Sequence, residues 1–145
     1  MKEKFDYSES SNSFIGEIEV KDRLIEIEIH LEESQLNWSE VENFISRLNE
    51  KEFNDVEETS KKLLDEFIKL VPFGVSPPFN KYEFRLEAIS YYGRVSNLIF
   101  SDLVDSYELI FKLYQANCVE CDDPYGNYII NIVNKLITGV RREQI

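Results

Sequence analysis

Apolar and polar residues alternate strictly over residues 14–31. This alternation predicts two half-buried strands, and the polar Lys-Asp-Arg segment between them predicts a hairpin turn. One face of the hairpin is apolar, and the other carries four glutamates, Glu17, Glu19, Glu26 and Glu28. Because like charges on facing strands repel each other, we expect this second face to weaken the hairpin in the free protein.

Two amphipathic helices are predicted next, one within residues 34–50 and one that starts after a break near Phe53 and stops before Pro72. Asn37 and Glu40 have the spacing of a capping box, and Asn54 or Asp55 can cap the second helix. The apolar stripe of the first helix is Val41, Phe44, Ile45 and Leu48, and that of the second is Val56, Ser60, Leu63, Leu64, Phe67 and Val71. Helices joined this briefly predict an antiparallel helical hairpin.

The remaining chain has strand patterns at 81–92, 95–103, 107–116, 128–133 and 136–142, with turns predicted at Gly93-Arg94 and at Asn134-Lys135. Strands and helices that are segregated along a chain predict an α+β fold. We expect an antiparallel sheet, made of the N-terminal hairpin and a C-terminal meander, with the two-helix hairpin packed on one face. The length of 145 residues predicts one domain over 1–145, and the polar residues 1–12 predict a flexible lead-in or a short strand.

Negative charge dominates the composition, with 28 acidic against 16 basic residues and a net charge of −12. Nucleic acids and anionic membranes are poor partners for such a chain, because neutralising phosphates requires Lys and Arg. The acidity favours fast association with a basic protein, and the alternative is that it serves solubility alone. The sequence shows no apolar leader or membrane segment, so we expect a cytoplasmic protein with reduced thiols.

Candidate chemistry is sparse. Cys118 and Cys121 form a single C-x-x-C, His30 is the one histidine, and the glycines are scattered singly. A structural zinc site needs four Cys or His ligands, and the acids around the cysteines disfavour a reactive thiolate. We therefore expect that the two cysteines have no functional role and that the chain has no cofactor and no metal site. We also expect no catalytic residues, so that the chain is not an enzyme.

Tyrosines beside acidic loops are the best candidates for binding a partner, because interfaces favour tyrosine and a basic partner needs negative charge. In the alternative interpretation, these tyrosines lie at the half-exposed rim of the sheet and these acids serve to form turns. The candidate partner-binding residues are Asp102, Asp105, Tyr107, Glu120, Asp122, Asp123 and Tyr125.

The opening GEIEV…LIEIEIHLE, the two capped helices and the tail SDLVDSYELIFKLYQA…DDPYGNYIINIVNKLITGV resemble the small acidic immunity proteins of bacterial toxin–immunity systems. These include contact-dependent growth inhibition systems and related uncharacterised domains. The resemblance implies a protein that binds and neutralises one cognate toxin, often a basic nuclease, and it transfers no role to an individual residue. A scaffold or regulatory domain, and an enzyme that uses carboxylates, remain as alternatives, and the oligomeric state stays open.

Overall fold

The computed structural model describes residues 1–70, 82–96, 103–115 and 126–144. Within them lie seven strands, two α-helices and two short 3-10 turns at Lys2–Lys4 and Glu33–Gln35. The helices are α1 (Trp38–Leu48) and α2 (Lys51–Leu70). The strands are β1 (Phe5–Ser8), β2 (Ser13–Val20), β3 (Arg23–Ile29), β4 (Tyr82–Ser96), β5 (Leu103–Gln115), β6 (Gly126–Val133) and β7 (Leu136–Gln144).

All seven strands form one sheet in the order β1 to β7, which confirms the predicted α+β fold with an N-terminal hairpin and a C-terminal meander. Neighbouring strands are antiparallel except β3 and β4, which pair in parallel with Ile27 opposite Ile89. The expectation of a wholly antiparallel sheet is therefore wrong at this pair. The physical reason is that α1 and α2 lie between β3 and β4 in the chain and form the long crossover that a parallel pair requires.

The helices pack their apolar stripes against the inner face of the sheet. Phe44 of α1 stacks on Tyr91 of β4 with ring centroids 4.1 Å apart. The predicted stripe of α1 is buried throughout, but the stripe of α2 is shifted from the prediction, because Leu63 and Phe67 are only partly buried. The buried residues of α2 are Phe53, Val56, Glu57, Ser60, Leu64 and Ile68. Val71 lies outside the described residues.

Strand β4 runs through the predicted turn at Gly93-Arg94, so that turn is wrong. Gly93 has a φ of 88°, and the pairing of β4 with β5 shifts register at this point, which is the signature of a β-bulge. A Cβ on Gly93 would also lie 3.1 Å from the side chain of Leu31. Residues 95 and 96 consequently extend β4, while 97–102 of the predicted returning strand lie outside the described residues.

The two other predicted turns are confirmed. Lys21 and Asp22 have φ of 50° and 65°, and Asn134 and Lys135 have φ of 51° and 65°. Two consecutive residues with positive φ are typical of the type I′ turn, whose twist matches that of the strands in a hairpin. The hairpins β2–β3 and β6–β7 therefore have tight, well-defined registers.

The lead-in segment contains β1, which pairs with the start of β2 from Phe5 opposite Gly16 to Ser8 opposite Ser13. Both α-helices of the described residues fall short of the combination of length and apolar character that crossing a bilayer requires. The two cysteines lie outside the described residues.

Candidate partner-binding surface

Of the seven candidate binding residues, the structure describes Asp105 and Tyr107, which both lie in β5. The other five lie outside the described residues, and they are Asp102, Glu120, Asp122, Asp123 and Tyr125. The structure therefore does not test whether the seven side chains come together.

The sequence pattern places Asp105 in a turn, but in the structure it lies within strand β5, where it holds α1 on the sheet. Arg47 of α1 donates from Nε and Nη2 to its two carboxylate oxygens, each over 2.8 Å. The hydroxyl of Tyr91 donates to Oδ1 over 3.3 Å. The carboxylate is largely enclosed, with its side chain 16% exposed. A charge so fully engaged inside the chain contributes little to an outside partner.

Tyr107, a candidate binding residue in the sequence, is buried in the core. Its ring is 7% exposed and packs 5.2 Å from the ring of Phe44. Burial, together with the nearby charge of Asp105, raises the pKa of Tyr107 well above its usual range. This burial follows from register, since the alternation of β5 turns residue 107 toward the helices.

The opposite face of the sheet, which we call the open face, is formed by the side chains that alternate with the core positions. The strand registers place the following residues on it: Ile15, Glu17, Glu19, Leu24, Glu26, Glu28, Ala88, Ser90, Tyr92, Ser106, Glu108, Ile110, Ile129, Asn131 and Arg141. Both described helices pack against the inner face, so no described helix lies over these side chains.

One end of the open face is a patch of negative charge, the glutamate face, defined by Glu17, Glu19, Leu24 and Glu26. Glu17 lies directly opposite Glu26, and Glu19 lies opposite Leu24. The three glutamates are exposed and make no ion pair with any residue that the structure describes. The expected repulsion between facing glutamates is thus present in the register of the hairpin.

The cations of the same hairpin turn away from the glutamate face. Lys21 donates from Nζ to the backbone oxygen of Glu50 over 3.0 Å. Arg23 binds Glu57 of α2 with both terminal nitrogens. Burial opposes ionisation of Glu57, but the hydrogen bond and charge of Arg23 outweigh it and lower the pKa of Glu57. Both positive charges therefore stabilise the contact between sheet and helices and leave the glutamates unbalanced.

A network of polar side chains crosses the middle of the open face. Glu28 accepts a hydrogen bond of 2.6 Å from Ser13, and its Oε2 lies 3.7 Å from Nε2 of His30. The imidazole of His30 stacks on Tyr92 at 4.8 Å with 13° between the rings. His30 thus lies between the Glu28 carboxylate and the Tyr92 ring, and the Ser13 hydroxyl donates to Glu28.

The network continues from Tyr92 to the far edge of the sheet. The hydroxyl of Tyr92 donates to Oε1 of Glu108 over 2.5 Å, and Nη1 of Arg141 lies 2.5 Å from Oε2 of the same carboxylate. Arg141 also donates to Asn131 over 2.7 Å and to Glu143 over 3.0 Å. Burial and the Glu108 carboxylate raise the pKa of Tyr92 above its usual range. Glu108 and Glu143 of this network are each paired with Arg141, which distinguishes them from the acids of the glutamate face.

The Glu108–Arg141 pair was not predicted from the sequence. Its available signal was the acid between Tyr107 and Leu109 in a mostly apolar strand, because a charge in such a strand needs a partner. Among residues 1–70, 82–96, 103–115 and 126–144, no three His, Cys, Asp or Glu side chains are placed to hold a metal ion.

Comparison of the chain with protein-family models, with curated proteins and with solved structures finds no match in any of the three. The functional argument therefore rests on the charge and geometry of this chain's own residues. Among the described residues, the facing glutamates Glu17 and Glu26 are a feature that the fold itself does not explain.

Proposed function

We propose that this protein is an immunity-type inhibitor that binds and neutralises a cognate basic toxin by protein–protein contact, without catalysis. The observation that carries the proposal is the unpaired negative charge of the open face. Glu17 and Glu26 face each other across the hairpin with no described cation beside them, in a chain of net charge −12.

Repulsion of this kind costs stability in the free protein, and a basic partner would remove it on docking. Cross-strand pairs contribute roughly 0.2–1 kcal/mol each, so the repulsion lowers the stability of the fold only slightly. Its removal on docking favours the binding of a cation. Nucleases and other proteins that act on phosphates carry Lys and Arg at their substrate sites. Carboxylates placed there would occupy the positions of the substrate phosphates and block access.

The acidity also favours rapid capture of such a partner. Long-range attraction between an acidic and a basic protein raises association rates by about 10–10³-fold at low ionic strength. A protein that must neutralise a toxin before it acts benefits from this rate, and an acidic scaffold does not need it.

The test is protection of cells. We expect that coexpression of this chain restores growth to bacteria producing the proposed basic toxin domain, and that the two proteins form a stoichiometric complex. An unrelated basic protein of equal charge serves as the control and should bind weakly. Failure to restore growth, together with no complex even at about 50 mM salt, would leave solubility as the role of the acidity.

A further inference from the structure

A cavity lies at the corner where α1 ends and α2 begins, and we call it the corner cavity. Its apolar lining is formed by Phe44, Leu48, Phe53 and Val56, and polar side chains reach it from β5 and from the turn between β6 and β7. Its volume is about 60 Å³. Sites for drug-sized ligands occupy about 300–1,000 Å³, so this cavity has room only for the end of one side chain or for a few waters.

The hydroxyl of Tyr107, which lines the corner cavity, lacks a partner. Tyr107 is 7% exposed, and its hydroxyl makes no hydrogen bond with any residue that the structure describes. In contrast, Tyr91 and Tyr92 of β4 both donate to carboxylates. Because buried polar groups are nearly always hydrogen-bonded, this hydroxyl indicates that something from outside the chain binds here.

The charges around the corner cavity favour a cation. Among the described residues, two cations and three carboxylates line it, and they are Arg47, Lys135, Glu50, Glu52 and Asp105. Arg47 pairs with Asp105, and Lys135 pairs with Glu52. The carboxylate of Glu50 remains without an ion pair to any described residue.

The electrostatic potential at the Tyr107 hydroxyl has the same sign. Burial is the largest cause of the raised pKa of Tyr107, and the Asp105 carboxylate raises this pKa more than the Arg47 guanidinium lowers it. A negative potential at the hydroxyl disfavours an anion and favours a cation. The ends of α1 and α2 that meet at the corner carry opposite partial charges, which offset each other and leave this sign unchanged.

We infer that the corner cavity receives the end of one lysine side chain of the basic partner. This inference rests on the proposed function and adds one contact that the partner makes. A lysine ammonium has three N–H donors, for which the Tyr107 hydroxyl and the carboxylates of Glu50 and Glu52 are acceptors. Arginine fits less well, because its planar fork needs both oxygens of a carboxylate, and those of Asp105 are already bound by Arg47.

The corner cavity and the glutamate face lie at the same end of the molecule. Lys21, in the turn between β2 and β3, donates from its backbone nitrogen to Asn49 over 3.1 Å and from Nζ to the backbone oxygen of Glu50 over 3.0 Å. Glu19 and Leu24 flank this turn. A basic partner attracted to the glutamate face therefore has the corner cavity within reach.

The first experiment uses n-butylammonium chloride, which reproduces the end of a lysine side chain. It is titrated into the isotope-labelled full chain, and backbone amide shifts are followed by NMR. We expect saturable shifts concentrated at residues 44–56, 105–107 and 134–135. The controls are tetramethylammonium, which has the charge without N–H donors, and n-butanol, which has the stem without the charge. Shifts that do not saturate, that lie elsewhere or that tetramethylammonium reproduces would show that the cavity holds water only, and would overturn the inference.

The second experiment removes the hydroxyl and keeps the ring. Because the Tyr107 hydroxyl has no described hydrogen bond to lose, Tyr107→Phe should not lower the Tm of the free protein. It should weaken n-butylammonium binding about tenfold, as expected for a hydrogen bond to a charged group. Tyr7→Phe, which removes an exposed hydroxyl, is the matched control and should leave binding unchanged. Equal binding by Tyr107→Phe and the wild type would contradict the inference.

A charge variant at the exposed rim gives an independent reading. Glu50→Gln should weaken n-butylammonium binding about threefold, the effect of an exposed ion pair. Glu9→Gln removes an equally exposed charge away from the cavity and should have no effect. Equal effects of the two variants would mean that net charge alone attracts the cation, against the inference.

The toxin complex distinguishes this inference from the proposed function. If the toxin is neutralised and binds Tyr107→Phe as tightly as the wild type, no lysine of the toxin enters the corner cavity and the inference alone is wrong. If n-butylammonium binds in the cavity but the toxin is not neutralised, the proposed function alone is wrong.

Discussion

Replacing Glu26 with lysine should stabilise the free protein while impairing its binding. Glu26 lies directly opposite Glu17 and diagonally across from Glu19, and Glu28 follows two residues later on the same face. In Glu26→Lys the repulsive cross-strand pair becomes an attractive one and the new ammonium group is surrounded by three carboxylates. Most single substitutions destabilise a protein, so a gain at this position would be informative.

The magnitude follows from the pair geometry. Removing one unfavourable cross-strand pair and adding one favourable pair changes the free energy of unfolding by about 1 kcal/mol at low salt. For a domain of this size, that corresponds to a rise in Tm of about 4 °C. Since the Debye length falls from about 10 Å at 0.1 M salt to about 3 Å at 1 M, the gain should shrink as salt is added.

Thermal unfolding followed by circular dichroism, at several salt concentrations, measures both effects. The matched control is Glu9→Lys in the turn between β1 and β2, which makes the same change in net charge at an exposed site with no facing glutamate and no ion pair among the described residues. A Tm of Glu26→Lys that is no higher than that of Glu9→Lys, or that responds identically to salt, would refute the argument from cross-strand repulsion.

Two further predictions concern the contact between the helices and the sheet. Ile68→Ala should lower the free energy of unfolding by about 2–5 kcal/mol, because the Ile68 side chain is buried. Phe67→Ala should lower it less, because the Phe67 ring is only partly buried. Urea unfolding of the two variants measures both losses and ranks them. Glu57→Gln should cost about 1.5–3 kcal/mol at neutral pH by removing the charged acceptor of Arg23. Since the folded state lowers the pKa of Glu57 below 4.5, this contribution is present above that pH and is lost as pH falls through the lowered value. The difference between wild type and Glu57→Gln should therefore narrow in unfolding curves recorded at acidic pH, and a constant difference would contradict the ion pair.

Local patterns in the sequence were sufficient for the elements whose causes are local. The glutamate hairpin, the capping residue Asn37 and the turn at Asn134-Lys135 all follow from the order of neighbouring residues. Asn37 accepts a hydrogen bond from the backbone nitrogen of Ser39, as a capping residue should.

Features that depend on distant segments were not predictable in the same way. The bulge at Gly93 looks like a turn in sequence, because positive φ favours glycine in both. The pair formed by Arg47 and Asp105 joins residues 58 positions apart, so nothing local indicates that Asp105 is unavailable to a partner. The parallel pairing of β3 with β4 likewise depends on where the crossover formed by α1 and α2 places β4 in the sheet.

Association kinetics with the cognate basic toxin domain test the central claim most directly. The association rate constant is measured by stopped flow at about 50 mM and about 500 mM salt, for the wild type and for Glu17→Gln with Glu26→Gln. We expect a rate constant for the wild type that falls at least tenfold over this range, and a smaller fall for the variant because fewer charges attract the partner. An association rate that is independent of salt in both proteins would contradict the account, because the unpaired glutamates would then have no part in capturing a basic toxin.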